Sequence, residues 1–453
     1  MDQFRTEKDS LGEVKVPQKA LYQAQTQRAL DNFPISHRTL PWPFHRALIQ
    51  LKLAAARVNA DFDKISAAQQ QAIEQSASTL LSGEHRDQLC VDVYQTGSGT
   101  STNMNVNEVL ATLASQQCDE PVHPNDHINA SQSSNDVIPT SLQLSAVSEL
   151  NNQLLPALKG LIHALEEKAK SLKDKVKTGR THLMDAMPIT LAQEFGCWQR
   201  QLTDNQTRLT HCQKDLLQLP IGGTAVGTGV NCPDGFDKQI CEHLSGLTEL
   251  NLVPCDNKFS RIASQDGIVA LSGQLNTLAV SLMKIANDLR WMNSGPLAGL
   301  SEISLEAIQP GSSIMPGKVN PVVPEAAAMV SAKVMGNHQT ITIAGQSGNF
   351  QLNVMLPLLA ECVLDSLQLL ASIMPELAKT ISDLSVNDDK LSEPLEKNPI
   401  LVTALNERIG YEKAAAIAKK AYADKRPVFE VAREMTDLDE QELKELLDPK
   451  KLT

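Results

Sequence analysis

Aromatic residues and basic runs are scarce in this sequence, and each scarcity excludes a class of protein. Phe, Trp and Tyr make up 4% of the 453 residues, so the 42% that are hydrophobic must build a core mainly from aliphatic side chains and Met. That composition suits helix packing better than a β-sandwich. The net charge is −12 and no run of five basic residues occurs, which argues against a nucleic-acid or anionic-membrane partner.

The sequence also lacks paired cysteines and an apolar N-terminal segment. Its eight cysteines are scattered without a CxxC pair, which is typical of free thiols in a reducing compartment. The stretch "MDQFRTEKDSLGE" is charged and shows no signal peptide. The longest apolar tract, from about Leu356 to Met374, contains a proline and two carboxylates and therefore predicts a core helix, not a membrane span. We expect a cytoplasmic protein.

Long helices are the clearest feature of the sequence. Aliphatic residues step alternately by three and four positions from Ile268 to Leu289, an a/d stripe. The same pattern runs from Val147 to Leu165, with an expected kink at Pro156. Further helices are predicted from about Leu191 to Leu217 and from about Pro324 to Met335. Helices of this length need partner helices, so we expect a bundle shared between subunits, with a monomeric bundle as the alternative.

Changes in composition and helical periodicity divide the chain into three predicted domains. Residues 1–133 mix short helical pieces with polar loops, and residues 134–388 carry the long-helix periodicity. Residues 389–453 read as a small C-terminal domain of short surface helices. The predicted fold class is mainly α, a three-domain subunit around a long central helical bundle.

Polar segments rich in Ser, Thr, Asn and Gly lie between the predicted helices. They are "TGSGTSTNMNVNE" (96–108), "VHPNDHINASQSSNDVIPTS" (122–141), "GRTHLMDAMPIT" (179–190) and "GSSIMPGKVNP" (311–321). Such side chains offer hydrogen bonds without charge. Neither the first segment nor "GGTAVGTGVN" (222–231) matches a phosphate-binding loop. Taken alone, the first predicts a turn with an N-cap and the second predicts tight helix packing.

Together these segments suggest a site for a small anion. His123 and His127 have i, i+4 spacing, but Pro124 lies between them and no third ligand is evident, so we do not expect zinc. His182 is expected at the start of a long helix, where amide groups favour anions. Lys318 lies on a loop that its glycines allow to move. Hydroxyls and amides would bind carboxylates, Lys318 would supply charge, and His182 would transfer a proton.

The combination resembles a known superfamily. "GSSIMPGKVNP" resembles the signature GSSxMPxKxNP of the fumarase/aspartase superfamily, and "SSND" and "GRTHL" resemble its other two characteristic regions. Longer stretches, among them "QTGSGTSTNMNVNEV" and "LNERIGYEKAA", look like class II fumarases nearly end to end. His182 in "GRTHL", "AQT" at 24–26 and "PGKVN" favour fumarases, since aspartases usually carry Gln, "VHT" and "PAKVN". An aspartate ammonia-lyase and a non-enzymatic protein that retains the fold are the alternatives.

The resemblance implies a fold, an assembly and a reaction. The fold is the mainly α, three-domain fumarase/aspartase type, whose five-helix bundle packs with three others into a homotetramer. Each active site then draws its three characteristic regions from three different subunits. The implied reaction is the reversible hydration of fumarate to L-malate, a step of the tricarboxylic acid cycle, through an aci-carboxylate. No metal and no cofactor are implied.

The resemblance also implies roles for individual residues. Ser312 resembles the catalytic base, His182 serves the oxygen side, and Glu325 pairs with His182; whether Ser312 or His182 removes the carbon-bound proton stays open. The implied substrate-binding residues are Ser98, Gly99, Thr100, Ser133, Ser134, Asn135, Thr181, Ser313, Lys318, Val319 and Asn320. A second dicarboxylate site is implied at His123, Pro124, Asn125 and Asp126.

Three departures from the family pattern lie near these residues. The run "LEAIQPGSS" has Ala307 and Gln309 where relatives usually carry acidic residues, which concerns the hinge of the loop. Ser101 replaces a usual Gln, and the connection from Leu110 to Val122 is shorter than usual.

Overall fold

A computed structural model describes residues 3–453, so the first two residues of the predicted N-terminal domain lie outside the described part. The described chain is mainly α-helical, as predicted. In chain order its α-helices are α1 Ala24–Asn32, α2 Trp42–Asp61, α3 Ala67–Leu81, α4 Thr100–Ser115, α5 Ser134–Glu149, α6 Leu155–Ser171, α7 Leu191–Leu216, α8 Phe236–Thr248, α9 Lys258–Ala263, α10 Asp266–Met292, α11 Val322–Gly345, α12 Leu356–Asp383, α13 Asp388–Glu396, α14 Asn406–Ile409, α15 Tyr411–Asp424, α16 Val428–Met435 and α17 Glu440–Leu446.

The strands of the described residues form small two-stranded sheets. The antiparallel pairs are β1 Phe4–Asp9 with β2 Gly12–Pro17, β3 Val176–Thr181 with β4 Met184–Thr190, β7 Ile303–Ser304 with β10 Ser385–Val386, and β8 Gly348–Asn349 with β9 Leu352–Asn353. The strands β5 Gln218–Leu219 and β6 Val253–Pro254 pair in parallel. Sheets this small cannot form a core, so the helices carry it.

The chain divides into two compact units. One unit contains the described residues up to Pro156 together with Thr207–Ala279 and Ala332–Ala371. The other contains Ala157–Gln206, Val280–Ser331 and Ser372–Thr453. The division into three domains at residues 133 and 388 stays a prediction. Within the second unit, buried residues from Leu401 to Leu447 form a hydrophobic cluster.

The residues of both predicted apolar stripes are buried. The stripe residues from Ile268 to Leu289 lie on α10 and are between 0% and 1% exposed in the single chain. This face of α10 is therefore covered within one subunit, and a bundle shared between subunits stays a prediction. In contrast, Val280 and Trp291 of the same helix are 52% and 54% exposed.

The second stripe shows the predicted interruption at Pro156. A π-helical turn, Leu150–Leu154, separates α5 from α6, and Pro156 is the second residue of α6. Proline removes an intrahelical donor and crowds the preceding turn, which accounts for the change in bonding.

Two helices, Asp266–Met292 and Leu356–Asp383, are long and apolar enough to cross a membrane by length and composition. Their most apolar windows are 44% and 61% buried, and core helices pass the same test. The prediction that Leu356–Met374 forms a core helix agrees with the burial of α12.

Candidate active site

His182 lies at the tip of a β-hairpin and not at the start of a helix, so that expectation is wrong. Thr181 at the end of β3 pairs with Met184 at the start of β4, which leaves His182 and Leu183 as a two-residue turn. Both have left-handed backbone angles, with φ of 56° and 60°. Two-residue turns of this kind favour Asn and Gly, so His-Leu is a strained choice that leaves the imidazole exposed.

The loop that carries Ser312 is closed at its neck by two hydrogen bonds. The backbone N–H of Gly311 donates to the carbonyl of Lys318 at 2.9 Å, and Nδ2 of Asn320 donates to the carbonyl of Gly311 at 2.7 Å. Asn320 was named only as a residue that binds substrate, but in the structure its side chain also holds the loop closed. Ser313 and Lys318 are exposed on this loop.

The hydroxyl of Ser312 faces the backbone of its own loop. Its Oγ accepts hydrogen bonds from the N–H groups of Ile314 at 3.2 Å and Met315 at 3.0 Å. Two N–H donors aimed at one oxygen stabilise negative charge on that oxygen. The geometry is thus suited to a hydroxyl that loses its proton.

A cavity of ≈ 720 Å³ adjoins the loop, and the structure brings several of the implied residues to its wall. Lys318, Val319 and Asn320 line it together with Glu325 from the first turn of α11. Arg290, near the end of α10, lines the same cavity and was not singled out in the sequence. Among residues 3–453, no hydrogen bond or ion pair joins Glu325 to His182.

The implied substrate-binding residues 98–100 and 133–135 lie where α4 and α5 begin. Gly99 is the N-cap of α4, and Oγ of Ser98 lies 2.8 Å from Oγ1 of Thr100. Ser133 caps α5 by accepting the N–H of Asn135 at 3.2 Å. Helix N-termini present free N–H groups, which suit carboxylate ligands.

The segment "GGTAVGTGVN" is tied to the start of α5 and lies close against α8 and α9, in agreement with the tight packing predicted for it. A Cβ atom at Gly222 would lie 3.0 Å from Cβ of Asp237 in α8, and one at Gly223 would lie 2.8 Å from Cδ1 of Ile262 in α9. Nδ2 of Asn135 donates to the carbonyl of Ala225 at 2.8 Å. The carboxylate of Asp136 accepts the N–H groups of Gly222 at 3.0 Å and Thr224 at 2.9 Å, besides that of Ser133 at 2.9 Å. Burial raises the pKa of Asp136 to about 6 despite these donors.

Lys52 donates hydrogen bonds to the loop before α5, a role that the sequence analysis did not predict. Its Nζ donates to Oδ1 of Asn129 at 2.9 Å and to Oε1 of Gln132 at 3.0 Å. Nδ2 of Asn103 bonds the same Asn129 oxygen and also Oγ of Ser134, at 3.1 and 3.2 Å. Burial lowers the pKa of Lys52 to about 7. A lysine in the apolar run "LIQLKLAAARV" is a sequence signal for such a buried partner.

The residues of the implied second site form one turn. Nδ1 of His123 accepts the N–H groups of Asn125 at 3.3 Å and Asp126 at 3.2 Å, and the N–H of His123 donates to Nδ1 of His127 at 2.8 Å. Pro124 is buried in this turn, while His123 and Asp126 are exposed. The Nδ1 atoms of both histidines are therefore occupied by backbone donors.

Comparisons with family models, curated proteins and solved structures all match the chain to the same group of lyases. The family described as "Lyase" matches residues 12–336, and "Fumarase C C-terminus" matches residues 401–453. The chain is 55% identical to a "Fumarate hydratase class II" of Xylella fastidiosa over 100% of this chain and 96% of that protein. It is also 55% identical to "Fumarate hydratase class II 2" of Pseudomonas aeruginosa, over 100% and 99%. The crystal structure of a class II fumarase from Schistosoma mansoni superposes with a TM-score of 0.97 at 38% identity and covers 99% of each chain.

Proposed function

The chain belongs to the class II fumarate hydratase family of lyases, and from that membership we propose that it interconverts fumarate and L-malate by acid–base chemistry. In the dehydration direction, a proton leaves the carbon beside a carboxylate and the hydroxyl of the neighbouring carbon leaves as water. The intermediate is an aci-carboxylate with two negative charges on one group. Its stabilisation is the main demand on the site.

Ser312 is the proposed base for the carbon-bound proton. A serine alkoxide is unstable in water, and each unit by which the pKa falls requires about 1.4 kcal/mol of differential stabilisation. The N–H groups of Ile314 and Met315 supply part of this, because they already point at Oγ of Ser312. Lys318, on the same loop, adds positive charge for the carboxylate. This donor pair on a closed loop is the observation that carries the assignment of Ser312 as the base.

His182 is the proposed acid for the leaving hydroxyl and the base that activates water in the reverse direction. We propose that Glu325 pairs with His182 of a different subunit and sets its basicity. The hydroxyls and amides at the starts of α4 and α5, together with Thr181 and Ser313, bind the substrate carboxylates. The turn at His123 is proposed as a second, non-catalytic dicarboxylate site.

A homotetramer with shared sites is part of the proposal. Large apolar side chains remain exposed on the long helices of the single chain, among them Val280, Trp291, Met329 and Ile343 at 49% to 68%. Contact with other copies would remove this apolar surface from water. The enzyme is proposed to need no metal or cofactor and to act in the cytoplasm.

The test of the function is an assay of purified protein with fumarate, followed by the loss of absorbance of its conjugated double bond. The proposal predicts that fumarate is consumed and L-malate accumulates, and that L-aspartate yields no fumarate and no ammonia. Ammonia release from aspartate would support the aspartate ammonia-lyase alternative. Inactivity with both substrates in a folded tetramer would support a non-enzymatic protein.

A further inference from the structure

The hairpin that carries His182 depends on contacts outside its own strands. A two-stranded hairpin is marginally stable in water when nothing packs against it. The tip residues His182 and Leu183 are exposed and have strained backbone angles. Contacts of the two strands with other parts of the same unit therefore fix where the imidazole lies, among them the donation from Nδ2 of Asn398 to the carbonyl of Ala186 at 2.8 Å and the ion pairs of Lys177 and Arg180.

A network of ion pairs runs along the hairpin around the buried pair Lys177–Glu302 and reaches Arg180, two residues from His182. Nζ of Lys177 lies 2.6 Å from Oε2 of Glu302 and 2.8 Å from Oε2 of Glu194. Nη1 of Arg180 lies 2.7 Å from Oε1 of Glu302. Lys177 and Glu302 are 3% and 2% exposed. The two cations and the two carboxylates balance, and loss of the buried Glu302 would leave excess positive charge beside the buried amino group of Lys177, which is costly.

Glu302 differs from Glu194 because it holds both sides of an irregularity in the hairpin. The register between β3 and β4 shifts between Thr178 and Arg180. At Gly179, inside the shift, a Cβ atom would lie 2.6 Å from the carbonyl of Met187, so only glycine fits. Lys177 and Arg180 flank this point, and Glu302 alone of the two carboxylates contacts both.

The backbone of Glu302 is itself fixed, so its carboxylate is a firm anchor. The N–H of Asn387 donates to the carbonyl of Glu302 at 3.0 Å, and Nδ2 of Asn387 donates to the carbonyl of Ser301 at 2.7 Å. Strand β7 follows at once and pairs with β10. Glu302 thus connects the hairpin to a separate, hydrogen-bonded part of the same unit.

We propose that Glu302 is a positioning residue for the hydration reaction: through Lys177 and Arg180 it holds the hairpin so that His182 meets the substrate. The proposal rests on the proposed function, because it assigns the effect to His182. Groups that hold a catalytic side chain affect turnover through small displacements, and an error of about 1 Å can cost roughly 100-fold in rate.

The variant Glu302→Gln tests the proposal, with Glu194→Gln as its matched control. Each removes one carboxylate from Lys177, but Glu302→Gln also releases Arg180 and the bulge. We expect Glu302→Gln to lower kcat by about 10- to 100-fold with little change in KM, and Glu194→Gln to stay within about threefold of the parent. Thermal melting establishes that each variant is folded.

A second variant removes the Arg180–Glu302 ion pair by changing the residue on the hairpin. Arg180→Gln removes the partner of Glu302 and is expected to lower kcat in the same way, even if Glu302→Gln fails to fold. The proposal is overturned if the folded variants of Glu302 and Arg180 keep the kcat of Glu194→Gln.

A double variant separates positioning from a general loss of stability. Once His182→Asn has removed the imidazole, Glu302→Gln should lower the residual kcat by less than about twofold, because it acts through the missing group. A further drop as large as in the parent contradicts the proposal. If His182→Asn alone retains the parent kcat, the proposed function fails at His182, which is a different result from failure of the positioning claim.

Discussion

Replacement of Gly311 by alanine should damage catalysis without unfolding the protein. A Cβ atom at Gly311 would lie 2.3 Å from the carbonyl oxygen of Lys318, 2.8 Å from its carbonyl carbon and 2.9 Å from Cα of Val319. All three are backbone atoms, so no side-chain rotation relieves the contact. The neck of the loop must open by about 1 Å to reach ordinary contact distances.

The expected effects on stability and on turnover follow from the hydrogen bond that closes the neck of the loop. Opening it weakens the bond from the Gly311 N–H to Lys318, worth about 1 kcal/mol in net stability. The larger effect is on rate, because Ser312 and Lys318 lie on the two sides of that bond and a shift of about 1 Å costs roughly 100-fold in turnover. The melting temperature should change little, since the loop is exposed.

The assay is kcat and KM for L-malate dehydration, with thermal melting of each variant. Gly160→Ala is the matched control, because Gly160 lies in α6 and an added Cβ there meets nothing within 4 Å. It should keep full turnover and gain up to about 1 kcal/mol of stability. If folded Gly311→Ala keeps turnover within about twofold of the parent, the closed neck is not needed for catalysis and the reasoning is refuted.

Four further outcomes are expected. Ser312→Ala should lower kcat by orders of magnitude but leave binding of a competitive dicarboxylate largely intact, whereas Lys318→Ala should weaken both turnover and binding. Near-normal turnover of Ser312→Ala would transfer the role of base to His182 or water. His123→Asn should leave turnover within a few-fold, and a loss as large as that of His182→Asn would place His123 in the catalytic site. Burial lowers the pKa of His45 to about 4, so the folded state binds fewer protons than the unfolded state up to pH 6.5, and stability should rise by about 3 kcal/mol from pH 4 to 6.5. Denaturant titrations of the parent and of His45→Asn at several pH values check this, since the variant should lose that part of the rise in stability with pH. A chelator should leave activity unchanged, and inhibition that a divalent ion reverses would contradict this.

The long helices could be predicted because their evidence is local. The spacing from Ile268 to Leu289 marks a buried face, and it lies on α10 as predicted. The end of α11 was placed about ten residues too early, at Met335, because the polar run "GNHQT" reads as a helix end. Burial of Ile341 and Ala344, at 0% and 1%, accounts for its continuation to Gly345.

The residues named for the site stay a prediction from family resemblance, and the groups that form hydrogen bonds and ion pairs around them were not predicted. Family resemblance named His182 and Ser312, but the hairpin around His182 was missed because its turn lacks the Asn-Gly signal. Glu302 and Lys52 form hydrogen bonds with partners more than 70 positions away in sequence, Lys177 and Asn129. No local pattern shows which distant group will balance a buried charge.

The central claim is that His182 and Ser312 act on one substrate from different chains of a tetramer. The direct measurement is to refold His182→Asn and Ser312→Ala subunits together in equal amounts and compare activity with each variant refolded alone. If each site takes the two residues from different chains, about a quarter of the sites in random mixed tetramers have both native residues, and activity should recover to about a quarter of the parent. If the mixture stays as inactive as the separate variants while mixed tetramers form, both residues act from the same chain and the claim is contradicted.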